Sequence, residues 1–370
     1  MSELYALPEH DVVEALLPWV DPQPVETKVA VQRISETQGI VPLAIDPRGD
    51  GSIIWADLGD APFKEWQYIF TIKSLAEAGR ITSAFRSSMD VLRQDQLFED
   101  SLDPSGFIFH ISRCGSTLFA KSLAQLDENI VINQGAPLQH GFWAYLTGDW
   151  RKPVSADAAS LQMFRNLIRV MTRPRVPGVE RAFVKFISWN VLYADFIQVA
   201  FPNVPTVFLY RSPSEVIASV KKATTAALTA RGSLKGSFIS DLSVGAQQVL
   251  SDTEYLAHCY AHYFKVVETA SSSNISCFEY PEITAENLPF LLRKGFNYCP
   301  TNTQLAAMRK QFLFHSKDDS QAKRFADDSR EKRAAVDAID TALIEALCGK
   351  FVDHIKMQQC DAPLRAACVA

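Results

Sequence analysis

Five short apolar runs, separated by long helical stretches, follow one another from about residue 105 of this 370-residue chain. Strands that are almost continuously apolar are buried on both faces, and their alternation with helices is typical of a parallel sheet. We therefore predict an α/β fold built on a parallel sheet. The predicted strands are GFIFHI (106–111), NIVIN (129–133), AFVKFI (182–187), PTVFLYR (205–211) and NISCFEY (274–280), and the predicted helices span 117–126, about 156–172, 191–200, 213–226 and 252–270.

The first hundred residues have a different pattern, and we predict that residues 1–100 form a small α+β module. The segment DPRGDG (46–51) carries the Pro, Gly and Asp residues of a hairpin turn. No catalytic signature is present, so the module either only packs or shapes an acceptor pocket. Residues 101–370 are predicted as one α/β domain with a helical C-terminal tail around a charged loop at 315–333. The elements predicted in the module are a helix at 10–20, strands at 28–34, 39–45 and 52–58, and an amphipathic helix at 62–80.

Composition limits the kinds of partner that the chain is expected to bind. The net charge is −5, with 47% hydrophobic and 21% charged residues, so neither nucleic acid nor an anionic membrane would be attracted by the overall field. We expect no signal peptide, because a basic start is missing, and no membrane-spanning run. The seven cysteines are scattered without a CxxC pair, which predicts no metal site, no disulfide framework and a reducing cytoplasmic location.

The segment FIFHISRCGSTLFAKSL (107–123) joins the first of these strands to a helix through a glycine-containing turn. The first N–H groups of a helix have no partner within the helix, and the helix dipole adds positive charge there. Gly115 permits a close backbone approach, Ser116 and Thr117 supply hydroxyls, and Arg113 supplies a planar cation. A Walker A loop needs a Lys before its hydroxyl residue, and here the nearest lysine is Lys121, inside the helix. An ordinary strand–turn–helix corner is the alternative.

A second segment, VFLYRSPSEVIASVKK (207–222), places Arg211 at the end of a strand and Ser219 eight residues later on the next helix. Ser212 or Ser214 is suited to cap that helix, and Pro213 is suited to its first turn. Arg211 and Ser219 together offer a site for one further dianion. The alternative is a surface arginine and an ordinary helical serine.

Together the two segments resemble sulfotransferases that use 3′-phosphoadenosine 5′-phosphosulfate, in particular the bacterial branch with SRCGST-type loops. The resemblance covers about residues 105–285 and implies a P-loop sulfotransferase-like core. It implies that the first loop holds the 5′-phosphosulfate and that Arg211 and Ser219 hold the 3′-phosphate. It also implies an active-site lysine, Lys185, in FVKFISWNVL (183–192), for which a surface strand-end lysine is the alternative. The residues implied to bind the donor are Arg113, Cys114, Gly115, Ser116, Thr117, Leu118, Arg211 and Ser219.

The catalytic base is where the chain departs from the family pattern. Some relatives carry a Glu where Gln134 stands, and others carry a His two residues after the strand lysine, where Ile187 stands. Neither residue can accept a proton. His140 lies six residues beyond Gln134 and has a suitable ordinary pKa near 6.5, so it is the predicted substitute. A loop histidine without a catalytic part is the alternative, and His110 is interpreted as a structural neighbour of the loop.

The resulting expectation is transfer of a sulfuryl group to a hydroxyl or amine of a small-molecule acceptor, with Arg113, Lys185 and His140 as catalytic residues and no metal. Such a transfer depends on positioning and on neutralisation of oxygen charge. Two alternatives stay open: a P-loop small-molecule kinase, and a relative that binds nucleotide without catalysis. The identity of the acceptor, the oligomeric state and the basic residue of 317–333 that closes the site cannot be derived from this sequence.

Overall fold

The computed structural model describes residues 22–81, 83–94, 97–98, 100–221, 225–270, 275–314, 316 and 338–361. The predicted helix at 10–20 lies outside these residues, as does nearly all of the charged segment 315–333. The described part of the chain contains two sheets with helices between their strands.

The first sheet has four strands in the order β1-β4-β3-β2. β2 and β3 are antiparallel and are joined across residues 47–51, where Gly49 and Gly51 have φ angles of +62° and +77°. Those left-handed angles suit glycine, so the hairpin predicted at DPRGDG is confirmed. β4, a short strand with alternating burial, was not predicted. The four strands are β1 (Gln23–Pro24), β2 (Ile40–Asp46), β3 (Ser52–Asp57) and β4 (Ala84–Ser88).

The strand predicted at 28–34 is wrong, because this segment forms helix α1 (Thr27–Glu36). Its buried residues are Ala30 and Ile34, four positions apart, while Val29 is 38% exposed. Spacing by four puts side chains on one face of a helix, and tertiary packing on that face overrides the β preference of valine. The amphipathic helix at 62–80 is present but shorter, as α2 (Tyr68–Glu77).

The second sheet has five strands in the order β6-β7-β5-β8-β9. The pairs β6–β7, β5–β8 and β8–β9 are parallel. The predicted α/β fold with a parallel sheet is therefore confirmed, and every strand predicted in it lies within two residues of its observed bounds. These strands are β5 (Gly106–His110), β6 (Asn129–Asn133), β7 (Arg181–Lys185), β8 (Thr206–Tyr210) and β9 (Ile275–Glu279).

Helices follow most strands of the second sheet, and short 3-10 turns occupy 188–193, 280–282 and 311–313. The helix predicted at 213–226 ends earlier, at Val220, and a separate short helix begins at Ala226. Within the described residues, no helix combines the length and apolar character needed to cross a membrane. The remaining helices are α3 (Ser116–Leu123), α4 (Ala136–Gln139), α5 (Gly141–Thr147), α6 (Ala158–Met171), α7 (Ala194–Ala200), α8 (Pro213–Val220), α9 (Ala226–Thr229), α10 (Leu234–Ser240), α11 (Val244–Val249), α12 (Asp252–Ala270), α13 (Leu288–Phe296), α14 (Asn302–Lys310) and α15 (Ala338–Asp361).

The chain divides into two compact units, each made of several segments. Among the described residues, the first unit comprises those within 22–105, 123–186 and 196–203, and the second comprises those within 106–122, 187–195 and 204–361. An aromatic cluster of Trp143, Phe164 and Phe196 fills part of the first core. The domain boundary near residue 100 stays a prediction.

The described cysteines are not all in the same oxidation state. Cys114, Cys259, Cys277 and Cys348 are buried free thiols, whereas Cys299 is disulfide-bonded. Cys299 therefore takes part in a disulfide, although the cysteine spacing predicted no disulfide framework. Scattered spacing alone contains no information about which cysteines the fold brings together.

Candidate anion-binding site

The loop between β5 and α3 has an unusual backbone. Arg113 has a φ of +59° and Gly115 a φ of +78°. The left-handed region costs an ordinary residue about 1–2 kcal/mol, and such strain concentrates at binding and active sites. The loop leads directly into α3 at Ser116, so the unpartnered N–H groups of the first helical turn lie at its end. The loop thus combines a strained arginine with the start of a helix, and its role as an anion loop stays a prediction.

Cys114 anchors this loop to the sheet. Its side chain is fully buried, and its thiol donates to the carbonyl oxygens of Ile111 at 2.8 Å and Leu209 at 3.1 Å. Because the thiol points into the protein, only the backbone of Cys114 is placed to serve a ligand. The neighbouring His110 is also buried, with Nδ1 2.7 Å from the carbonyl oxygen of Ile111, as expected for a structural neighbour.

Arg211 follows the last residue of β8 and is 3% exposed. Its Nη1 lies 3.5 Å from the carbonyl oxygen of Arg113, so the two motifs that were separated in sequence adjoin in the second unit. The alternative of a surface arginine is wrong. Its Nε donates to Glu215 at 2.6 Å in a buried ion pair. Sequence reasoning did not single out Glu215, although its i,i+4 spacing from Arg211 is an available signal.

Ser219 shares the buried face of α8 with Glu215. The two residues are four positions apart and are 6% and 7% exposed. The helix start is partly as predicted: Pro213 occupies the first turn and Ser212 is the N-cap residue. The side chain of Ser212 does not cap the helix, however, because its hydroxyl is paired with that of Ser214 at 2.8 Å. The predicted capping hydrogen bond is therefore absent.

Tyr280 is a further member of the site that sequence reasoning missed. Its ring lies 4.2 Å from the guanidinium carbon of Arg211. A Cβ added at Gly115 would lie only 3.1 Å from the same ring. The aromatic face thus contacts both motifs and holds the arginine by a cation–π interaction. No local pattern marks this tyrosine, because the contact depends on where β9 ends.

Lys185 belongs to the first unit and ends β7. It is 1% exposed, so the alternative of a surface lysine is wrong. It is paired with Asn133 of β6 in register, and its carbonyl oxygen accepts the N–H of Gln134 at 2.7 Å. Its catalytic role stays a prediction. Ile187, at the position where some relatives have a histidine, is buried and aliphatic.

Gln134 and His140 also lie in the first unit, on the segment after β6. Gln134 has a φ of +49°, and its side-chain oxygen accepts a hydrogen bond from Gln67 at 2.5 Å. His140 is half-buried at the junction of α4 and α5, with its ring centroid 4.8 Å from that of Trp150. The next residue, Gly141, is close to the backbone of β2, since a Cβ there would lie 2.1 Å from the oxygen of Ile45. The N-terminal sheet therefore positions the segment that carries the predicted base.

No family model matches this chain, and no curated protein matches it. Several solved structures do, including a sulfotransferase from Alicyclobacillus acidocaldarius, with 14% identity over 67% of this chain and 96% of that one, and a TM-score of 0.33. A sulfotransferase from Mycobacterium avium has 12% identity over 71% and 78% of the two chains, with a TM-score of 0.40. The sulfotransferase domain of the curacin biosynthetic pathway has 13% identity over 71% and 100%, with a TM-score of 0.36.

All three of these structures are of sulfotransferases or sulfotransferase domains. Their TM-scores are all below 0.5, so these superpositions carry no argument about this chain's donor, acceptor or catalytic residues. The functional assignment has to rest on the chain's own residues and their geometry.

Proposed function

We propose that this protein is a sulfotransferase that moves a sulfuryl group from 3′-phosphoadenosine 5′-phosphosulfate to a hydroxyl or amine of a small-molecule acceptor. The observation that carries the proposal is the contact between Arg211 and the Arg113 loop. A buried arginine beside a strained, glycine-containing turn at a helix start offers two adjacent places for anionic groups. Such a pair suits a nucleotide with a phosphate at each end of its ribose.

The residues present fit this donor with one exception. The loop amides and Arg113 suit the 5′-phosphosulfate, while Arg211 and Ser219 suit the 3′-phosphate. The exception is Glu215, whose carboxylate is paired with Arg211, so a dianion there must share the arginine with a buried negative charge. The guanidinium of Arg211 and the hydroxyl of Ser219 would together supply the hydrogen bonds to that dianion.

Each catalytic residue has a separate task in this proposal. The donor supplies an activated sulfuryl group on a phosphate that is a good leaving group. Arg113 and the amides of 115–117 neutralise charge on the phosphate as its bond to sulfur weakens. Lys185 neutralises the oxygens of the transferred group, and His140 accepts the proton of the acceptor hydroxyl or amine. Gln134 orients the acceptor by hydrogen bonding, because an amide cannot take a proton.

A kinase is less consistent with the site. Lys121, the lysine nearest to the loop, is 4% exposed and lies five residues into α3, not before the hydroxyl residue. A relative that binds nucleotide without catalysis is favoured by one observation, the replacement of both usual bases by Gln134 and Ile187. The sulfotransferase and the non-catalytic relative therefore predict different results with labelled donor, because only the sulfotransferase transfers the label to an acceptor.

The test is transfer of ³⁵S from labelled donor to a metabolite extract. A labelled small molecule formed by the wild type and lost in Arg113→Ala supports the enzyme. Tight binding of adenosine 3′,5′-bisphosphate without transfer to any acceptor would instead favour the non-catalytic relative.

A further inference from the structure

Two buried tyrosines on α12 have hydroxyl groups that make no well-formed hydrogen bond, although a serine hydroxyl lies near each of them. Tyr260 and Tyr263 are 1% and 0% exposed, and neither phenol oxygen makes a hydrogen bond of normal length. Their rings contact each other edge to face, with centroids 5.8 Å apart. Buried donors without a partner are rare in native proteins, and each needs a physical explanation.

The phenol of Tyr260 lies near the anion loop, and the phenol of Tyr263 lies near Ser188. The hydroxyl of Ser112, the residue before Arg113, lies close enough to Tyr260 to affect its pKa, and Ser188 stands in the same relation to Tyr263. The hydroxyls of Ser112 and Ser188 are themselves 3.4 Å apart. These four hydroxyl groups thus form one cluster that includes Ser112 of the loop, and all four belong to the second unit.

The two tyrosines remain neutral donors. Burial raises the pKa of Tyr260 and of Tyr263 well above the usual range of a phenol. The positive charge of Arg113 acts on Tyr260 in the opposite direction and does not overcome burial. A neutral phenol beside an arginine is suited to the oxygen of an anion, because it donates a hydrogen bond without adding negative charge.

We propose that Tyr260 donates its phenol hydrogen to an oxygen of the tetrahedral anionic group held by the 112–117 loop, and that Tyr263 supports it through Ser188 and Ser112. The inference rests on the proposed function, since the anionic group is the phosphate or sulfonate end of the donor. It extends the anion site from the loop to α12. An ordered water that satisfies both phenols is the competing occupant.

The experiment compares Tyr260→Phe and Tyr263→Phe with a matched control, Tyr255→Phe. All three tyrosines are buried on α12, but the hydroxyl of Tyr255 already donates to the carbonyl oxygen of Ala227 at 3.1 Å. Affinity is measured by calorimetry with adenosine 3′,5′-bisphosphate and with pyrophosphate, and stability by thermal unfolding.

Tyr260→Phe should weaken both probes roughly tenfold or more, the usual worth of a hydrogen bond to a charged group. Its melting temperature should stay level or rise, because an unpartnered hydroxyl is removed. Tyr263→Phe should weaken the binding of both probes by a smaller factor. Tyr255→Phe should melt earlier and bind both probes like the wild type.

Unchanged affinity in Tyr260→Phe, with the wild type binding both probes, overturns this inference alone and points to water as the occupant. A wild type that binds neither probe overturns both the inference and the proposed function. If Tyr260→Phe does not fold, Tyr260→Met provides the same test, because it also removes the phenol hydroxyl. Wild-type affinity in that variant would overturn the inference as well.

Discussion

The guanidinium of Arg211 lies 3.5 Å from the carbonyl oxygen of Arg113, 98 residues earlier in the chain. Glu215 holds one edge of that guanidinium and Tyr280 covers its face. The arginine is therefore fixed before any ligand arrives. A fixed cation loses little entropy on binding, which favours affinity and selectivity for the group it meets.

The Arg211–Glu215 pair makes a prediction about stability. Arg211→Ala leaves the buried Glu215 carboxylate without its partner, so the free energy of unfolding should fall by about 3–5 kcal/mol. The double variant Arg211→Ala/Glu215→Ala should recover much of that loss, because no isolated charge remains. Urea denaturation of the two variants measures both values. Equal midpoints for Arg211→Ala and the wild type would show that the ion pair does not stabilise the fold.

Arg113 is predicted to lower the free energy of unfolding while it contributes to turnover. Because its φ is +59°, Arg113→Gly should be more stable than Arg113→Ala by about 1 kcal/mol, since only glycine adopts that angle without strain. Both variants should lose most turnover, because both lack the cation. Denaturation curves and transfer assays on the same preparations separate the two effects. Full activity in either variant would remove Arg113 from the site.

His140 is predicted to act as the base. His140→Ala should lower the transfer rate roughly 10²–10⁴-fold, the usual worth of a positioned base, with donor affinity unchanged. The acid limb of kcat/KM against pH should flatten in the variant. Gln134→Glu is the companion variant: a faster enzyme would mean that a carboxylate at that position is the better base. An unchanged rate in His140→Ala would contradict this role of His140 and would indicate an acceptor that reacts without a base.

His262 should make stability depend on pH. Burial lowers its pKa below the ordinary value of 6.5, so the folded protein favours the neutral imidazole. The unfolded chain therefore binds more protons between the two pKa values, and stability should fall as the pH falls below about 6.5. Denaturation between pH 7.5 and 5 should show this slope, and His262→Gln should reduce it. If the wild type and His262→Gln show the same slope, the pH dependence of stability comes from other titratable groups.

The parallel strands and the turns that follow β5 and β8 could be predicted from sequence because their signals are local. Strand β6 was predicted at its observed bounds from one apolar run, and the turn before α3 was predicted from one glycine, Gly115. Helix α1 could not be predicted in this way, because its valines favour a strand until packing on Ala30 and Ile34 selects a helix.

The rest of the candidate site depends on contacts between distant segments. Tyr280 adjoins the loop because of where β9 ends, and Tyr260 adjoins it because of the path of α12. Nothing around either tyrosine in the sequence indicates a binding role. Glu215 is different, since its spacing of four from Arg211 was visible and would have predicted the ion pair.

The most direct test of the central claim is ligand preference. Thermal unfolding of the wild type is measured with adenosine 3′,5′-bisphosphate, ADP and ATP–Mg, alongside Ser219→Ala, which removes a buried hydroxyl without disturbing the Arg211 ion pair. The bisphosphate should stabilise the wild type most, by about 2.7 kcal/mol at 100 times Kd, and Ser219→Ala should narrow its advantage over ADP. Equal or greater stabilisation by ATP–Mg would contradict the assignment of this site to a 3′-phosphorylated donor.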